Sequence, residues 1–310
     1  MRAHVRTRAP AKVNLHLSVG PVADNGYHPL VTVFQAVNLY DTVVVRPRTD
    51  GQFTLEIETA PTITVGPEAI PRDDTNLAMR AARLVAEHAG IDDGVDIQLL
   101  KRIPVAGGMA GGSADAAAAL VACAELWEVG ATRSTLHDLA AQLGADVPFA
   151  LHGATALGLG RGDELSPVMT HGEFHWVFAT QSEGLSTPAV YGQFDSDVAT
   201  GERLAVDPAP NEKVMKALMA GDAHALGEAL SNDLQDSALT LAPHLRATMD
   251  TAREAEALGV IVSGSGPTVA ALARSRQHAL AIAAHLTASD TADAVLTASG
   301  PATGAVVVGS

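Results

Sequence analysis

The stretch "PVAGGMAGGSADAAAAL", Pro104 to Leu120, packs four glycines into residues 107–112 and then runs without a break into alanine. Glycines ahead of a helix leave its first, unpaired backbone N–H groups open to an anion, and the helix dipole adds partial positive charge there. The same composition suits a hinge beside a plain core helix, and the run alone supports both readings equally. Two familiar phosphate patterns are missing: no Lys-Ser or Lys-Thr pair follows the glycines, and the G-x-G-x-x-G spacing does not fit. What surrounds the run has to decide.

Upstream, "VDIQLLKRIP" (95–104) reads as a strand, and downstream a helix is expected from near Ser113 to about Val129, with Gly130 as terminator. The order is strand, glycine loop, helix, with Ser113 as helix cap and phosphate contact. A second cluster, Gly264, Ser265 and Gly266 in "GVIVSGSGPTVAALA" (259–273), lies between two apolar strands. In isolation it is best read as a tight hairpin turn, but two such loops in one acidic chain raise the odds that both meet an anion. In "AKVNLHLSVG" (11–20), Val13, Leu15, Leu17 and Val19 alternate with Lys12, Asn14, His16 and Ser18, so Lys12 and Asn14 share the polar face of a strand. Asp146 in "GADVPF" follows the helical pattern "STLHDLAAQLG" (134–144) directly.

The rest of the chain is a globular α/β pattern. Strand-like runs occupy 30–37, 41–47, 53–59, 154–160, 174–180 and 304–309; helical patterns cover 73–90, 212–230, 243–258 and 275–286. Asp74 or Thr75 is the expected cap of the first helix and Gly90 its stop. "DPAPNEK" (207–213) reads as a linker, and no repeat period is evident. The 310 residues, 47% hydrophobic, are enough for two domains or one large one. A formal charge of −15 with no Lys/Arg cluster argues against nucleic acid and anionic membrane as partners, so an anionic ligand must be held locally. The one cysteine, Cys123, cannot form an internal disulfide and suits a reducing cytoplasm. The basic start lacks the apolar block of a signal peptide, and no apolar segment reaches membrane-spanning length.

Four stretches in chain order, 10–20, 104–120, 144–153 ("GADVPFALHG") and 263–272 ("SGSGPTVAAL"), resemble the motifs of the GHMP small-molecule kinases. The resemblance spans roughly residues 8 to 275 and implies an α+β two-domain fold. Its N-terminal domain, residues 1–160, would be of the ribosomal-protein-S5 type. Its C-terminal domain, residues 161–310, would be ferredoxin-like and carry the second glycine loop. It further implies ATP, with Mg2+, bound along Pro104, Val105, Ala106, Gly107, Gly108, Met109, Ala110, Gly111, Gly112 and Ser113, with Asn76 and Lys101 on the adenine side. Asp146 would be the general base and Lys12 the cation that stabilises the developing alkoxide and keeps Asp146 ionised; no protein ligand for the metal is assigned.

Within the family, "NGYHPL" (25–30) and "LSTPAVY" (185–191) resemble the segments of members that phosphorylate the 2-hydroxyl of a cytidine-diphosphate-linked methylerythritol. Tyr27 would stack on cytosine, His28 would hydrogen-bond it, and Thr187 and Tyr191 would stand on the other side. Asn14, Asp146, Gly264, Ser265 and Gly266 complete the implied substrate contacts. Homoserine-type or mevalonate-type kinases, and a nucleotide-binding regulator without catalysis, are the alternatives. The loop has alanine at 106, 110 and 114, where the family is richer in glycine and carries a second serine. Since a methyl group disfavours positive φ, these alanines are expected in ordinary helical or extended geometry.

Overall fold

The computed structural model describes residues 3–24, 26–63, 70–105, 107–204 and 206–309. Ala106, one of the expected nucleotide contacts, lies outside the described residues. The alternation in "AKVNLHLSVG" becomes part of strand β1 (Val5–Val19), and its polar face is buried too: Lys12, Asn14 and His16 are each less than a tenth exposed. A polar strand face covered by protein has to be hydrogen-bonded, and this one faces the other half of the chain.

In chain order β1 is followed by β2 (Leu30–Arg48), β3 (Phe53–Thr59), α1 (Leu77–Ala89), β4 (Gly94–Lys101), α2 (Gly111–Leu126), α3 (Arg133–Leu143), α4 (Val147–His152), β5 (Thr155–Leu159) and β6 (Glu164–Pro167). Then come β7 (Phe174–Thr180), α5 (Thr187–Ala199), α6 (Glu212–Ala220), α7 (Ala223–Ala229), β8 (Ser231–Asn232), α8 (Gln235–Leu241), α9 (Leu245–Glu254), β9 (Gly259–Val262), β10 (Val269–Ala273), α10 (Arg276–Ser289), β11 (Ala294–Gly300) and β12 (Val306–Val307). The runs 30–37 and 41–47, expected as two strands, are one long β2, because both halves pair with β1 across a register shift at Pro10/Ala11. The pattern over 212–230 divides into α6 and α7 at Gly221, which takes the left-handed conformation. Helix α1 is capped by Asn76, whose side chain accepts from Ala78 N–H, and not by Asp74 or Thr75.

The described residues form two sheets. The first runs β12-β1-β2-β4-β3, with β5, β6 and β8 attached at its margins. The second has the order β11-β7-β10-β9, all antiparallel. With helices between β7 and β9 and α10 between β10 and β11, the second unit has the β-α-β-β-α-β course of a ferredoxin-like domain. The expected boundary at residue 160 falls inside the β5–β6 hairpin, and β12 returns to pair with β1, so the first sheet takes strands from both sides of that position.

Period-two alternation explains how the halves adhere. On β7, Phe174, Trp176 and Phe178 belong to the core shared with the first sheet, whereas Val177 and Ala179 face the helices of the second. Trp176 Nε1–H donates to Gln35 Oε1 at 3.0 Å, so the largest side chain at this junction keeps its polar atom paired. The alanine-rich α2 is buried on nearly all sides against β1, β2, α1 and α4. Small side chains let those neighbours approach closely, and Cys123 is buried among them.

Candidate active site

A cleft of about 650 Å³ lies between the two sheets. Lys12 and Asn14 enter it from β1, Gly107, Gly108 and Ala110 to Ser113 from the glycine run, and Asp146 from the head of α4. Thr187 and Tyr191 arrive from α5, and Gly264, Ser265 and Gly266 in the β9–β10 turn close the opposite wall. Residues far apart in sequence thus meet on one cavity.

Lys12 is 5% exposed. Its Nζ donates to Asn14 Oδ1 at 2.6 Å and stands 3.9 Å from Asp146 Oδ2. Asn14 in turn donates to Thr32 Oγ1 at 2.9 Å, and the Thr32 hydroxyl donates to the His16 carbonyl at 2.7 Å. This relay fixes which edge of the Asn14 amide faces the lysine. Burial lowers the Lys12 pKa from its ordinary value and the Asp146 charge opposes that shift. Asp146 occupies the N-cap position of α4, yet its carboxylate makes no capping hydrogen bond and is turned toward Lys12. A carboxylate released from capping and held beside a buried ammonium is suited to accept a proton from a substrate hydroxyl.

The glycine run is tied to this pair, since Lys12 N–H donates to the Met109 carbonyl at 3.2 Å. The Met109 side chain is wholly buried, and Pro104 is buried behind Gly107. Helix α2 begins at Gly111, earlier than expected, and Ser113 is not its cap. The cap position is Ala110, with no side-chain hydrogen bond and with φ 59, ψ 36, so the expectation of ordinary geometry at this alanine does not hold. The hydrogen bond from Ala114 N–H to the Ala110 carbonyl and the Lys12 tether hold the turn in place against that local cost. The result keeps the amides at the start of a 16-residue helix free of side-chain caps and open to the cleft.

The second glycine cluster closes the β9–β10 hairpin, with Ser263 N–H donating to the Thr268 carbonyl at 2.9 Å. It is also a wall of the cleft. Ser263 Oγ donates to the Gly108 carbonyl at 3.2 Å, and a side chain at Gly108, which has φ 69, would strike the Ser263 carbonyl. The Thr187 and Ser265 hydroxyls are 2.8 Å apart.

Asn76 and Lys101 lie around a smaller pocket of about 250 Å³ with Val105, Gly112 and Asp115. Lys101 is 2% exposed, and its ammonium is gripped by Asp41 and by Asp115, the latter at 2.7 Å. Burial alone would lower its pKa, but Asp115 and Asp41 outweigh that and raise it to about 12. Burial pushes Asp115 well above the carboxylate range, with Lys101 opposing. Asp41 also accepts from Ile103 N–H at 2.9 Å, so one buried cluster joins β2, the end of β4 and the start of α2. Sequence pattern picks out neither acid; the available signal is a lysine on the strand face that Val95, Ile97 and Leu99 make apolar, which requires partners if buried.

Around the corner of the main cleft a third cavity of about 320 Å³ is lined by Tyr27, His28, Arg161 and Asp163 among others. Tyr27 is 58% exposed, with the Arg161 guanidinium 5.7 Å from its ring centre. His28 Nδ1–H donates to the Gly20 carbonyl at 2.8 Å, and its ring lies 5.1 Å from that of Tyr191. Burial raises the Tyr191 pKa to about 12. Arg161, Thr32 and Phe34 also line the main cleft, and no sequence motif points to them. Asn14 pairs across the ladder with Phe34 and reaches Thr32 by its side chain, but neither neighbour can be named before the β1–β2 register is known.

Two glycine loops facing a Lys–Asp pair across a two-domain cleft define a small-molecule kinase, and the chain belongs to the GHMP kinase family. The GHMP kinases N terminal domain model matches residues 76–154 and the GHMP kinases C terminal model residues 214–290. The chain is 53% identical to the 4-diphosphocytidyl-2-C-methyl-D-erythritol kinase of Thermobifida fusca, with 98% of each chain covered. It is similar to a crystal structure of 4-(cytidine 5'-diphospho)-2C-methyl-D-erythritol kinase at TM-score 0.77 and 33% identity, covering 95% of this chain and 98% of the other. A mevalonate kinase from L. major, crystallised with R-mevalonate, superposes at TM-score 0.78 with 98% of each chain covered, but at 18% identity. Backbone likeness therefore establishes the fold, and side chains must decide among substrates.

Proposed function

We propose that this chain transfers the γ-phosphoryl group of ATP to the 2-hydroxyl of 4-diphosphocytidyl-2-C-methyl-D-erythritol, releasing ADP, in isoprenoid precursor synthesis in the cytoplasm. The observation that carries the reading is the convergence of Lys12 and Asp146 between two glycine loops, in a cleft adjoining Tyr27, His28 and Tyr191.

Asp146 takes the proton of the 2-hydroxyl as that oxygen bonds to the γ-phosphorus, and the bond to the β,γ-bridging oxygen breaks with its electron pair leaving on ADP. The Lys12 ammonium stabilises negative charge on the attacking oxygen, held in place by Asn14. Backbone amides from Gly107 to Ser113 receive the triphosphate at the α2 N-terminus, and the base lies toward Asn76 and Lys101. Mg2+ would come with the nucleotide, held largely by phosphate and water oxygens, and when bound it neutralises phosphate charge. The Asp146 carboxylate and Ser113 hydroxyl in the same cleft are oxygen donors of the kind such an ion accepts. Among the described residues no group of three or more His, Cys, Asp or Glu gathers as a separate metal site.

Tyr27 stacks on the cytosine with His28 against its edge, and Tyr191 and Thr187 stand on the α5 side. These residues favour a cytidylyl substrate over mevalonate or homoserine, which have no base to read. The test is ADP release with Mg-ATP against the cytidylyl substrate, mevalonate and homoserine in parallel. Turnover of the first alone is expected; turnover of either other substrate instead, or ATP binding with no turnover at all, would overturn the reading.

A further inference from the structure

We infer that Arg161 is the diphosphate-recognising residue of the acceptor site, a specificity determinant that rests on the cytidylyl reading above. Among the described residues that line the main cleft and the adjoining cavity, Lys12 and Arg161 are the only lysine or arginine side chains. Lys12 is occupied at the reacting end by Asn14 and Asp146. Arg161 lines both cavities and so stands on the wall they share. A substrate with its cytosine at Tyr27 and His28 and its hydroxyl at Asp146 has to lay its diphosphate between those ends, past Arg161.

The chemistry fits the place. The net charge of −15 opposes an anionic ligand at long range, so a local cation is needed. A guanidinium presents a planar fork that matches phosphate oxygens two at a time. Its side chain is 48% exposed, and its contact with Asp163 engages Nη2 at 2.8 Å in a solvent-screened pair that a phosphate can displace. The backbone that carries it is held firmly. Arg161 sits in the β5–β6 hairpin between Gly160 and Gly162, where Leu30 N–H donates to the Gly160 carbonyl at 2.8 Å and Gly162 N–H to the Leu159 carbonyl at 2.9 Å. The fork is therefore delivered from a fixed turn, beside the ring assigned to the base.

The test is Arg161→Gln, with Arg161→Lys as the conservative partner, after thermal denaturation has confirmed the fold of each. In ADP-release assays the glutamine variant should raise the half-saturating concentration of the cytidylyl substrate about 10- to 100-fold, the usual cost of a lost charged hydrogen bond, and move that of ATP by less than about 2-fold. The lysine variant should recover part of the loss. CDP should compete better than cytidine against the wild-type enzyme, and Arg161→Gln should shrink that advantage. An unchanged advantage of CDP over cytidine, or a rise confined to ATP, would overturn the inference. If the wild-type enzyme does not turn over the cytidylyl substrate, the functional reading fails by itself, and calorimetric titration of CDP into wild type and Arg161→Gln still decides whether Arg161 holds a diphosphate.

Discussion

Residues 104–113 and residues 263–268 are both glycine-rich, both follow a strand, and both border the same cleft, yet they are put to different use. The first opens into a 16-residue helix and leaves its leading amides uncapped. The second folds straight back into β10, closed by bonds from Ser263 N–H to the Thr268 carbonyl and from Gly266 N–H to the Ser263 carbonyl. Glycine density is thus a statement about close approach, and the element that follows determines what is offered: a helix N-terminus open to the cleft in one case, a wall against the other loop and Lys12 in the second. The loops also constrain one another, because Gly108 leaves the room that the Ser263 carbonyl fills.

Four variants act on this contrast in decreasing order of expected effect. Asp146→Asn touches neither loop and removes the proposed base, so turnover should fall about 100-fold or more while nucleotide titration stays near wild type; unchanged turnover would remove Asp146 from the chemistry. Gly108→Val places a branched side chain at φ 69 against the Ser263 carbonyl, so nucleotide affinity should drop at least about 10-fold in a protein whose circular dichroism shows it folded. Normal affinity would mean that the first loop does not hold the nucleotide.

Gly264→Ala acts from the second loop. Gly264 has φ 59, and a Cβ there would come 3.2 Å from Lys12 Nζ and 3.3 Å from Asn14 Oδ1. Displacing the ammonium should cost about 10-fold in kcat with less effect on ATP binding. The pH profile supplies the matching control. Burial lowers the Lys12 pKa, so the working ammonium is lost, and kcat falls, as pH rises through a value below the ordinary 10.5. An alkaline limb at or above that value would show that Lys12 is not the cation whose loss is being read. The smallest change is Ala110→Gly, which relieves a left-handed alanine and should stabilise the fold by about 0.5 kcal/mol in urea denaturation, net of the extra freedom glycine gives the unfolded chain.

Much of this is legible in the sequence wherever local pattern and local structure agree. The strand–loop–helix order around residue 107, the alternation that sets Lys12 and Asn14 on one face, and the hairpin at 263–268 follow from periodicity and turn chemistry. The family motifs then gather them into one site. What escapes is set by tertiary contact. Nothing local makes 30–48 one strand; pairing with β1 does. Asp41 and Asp115 become visible only when β2 and α2 close on Lys101, and Arg161 only when the β5–β6 hairpin comes to rest beside Tyr27. Ala110 departs from a sound steric preference in a turn held on one side by the Met109 tether and on the other by the first hydrogen bond of the helix.

The return of residues 303–308 to the first sheet has a temporal meaning. Thr303 bridges Gly153, Ala305 N–H donates to the Ala150 carbonyl, and β12 zips onto β1, so the short helix that begins after Asp146 is braced by the far end of the described chain. Synthesis runs from N- to C-terminus and early domains fold first. A nascent chain can pack α4 on α2, α3 and β1, but the contacts of Thr303 and Ala305 with Gly153 and Ala150 form only after that last stretch has cleared the ribosome. The last turn to settle around Asp146 is thus among the last to be made, and a chain cut short after β11 should lose order at the end of α4 before it loses either glycine loop.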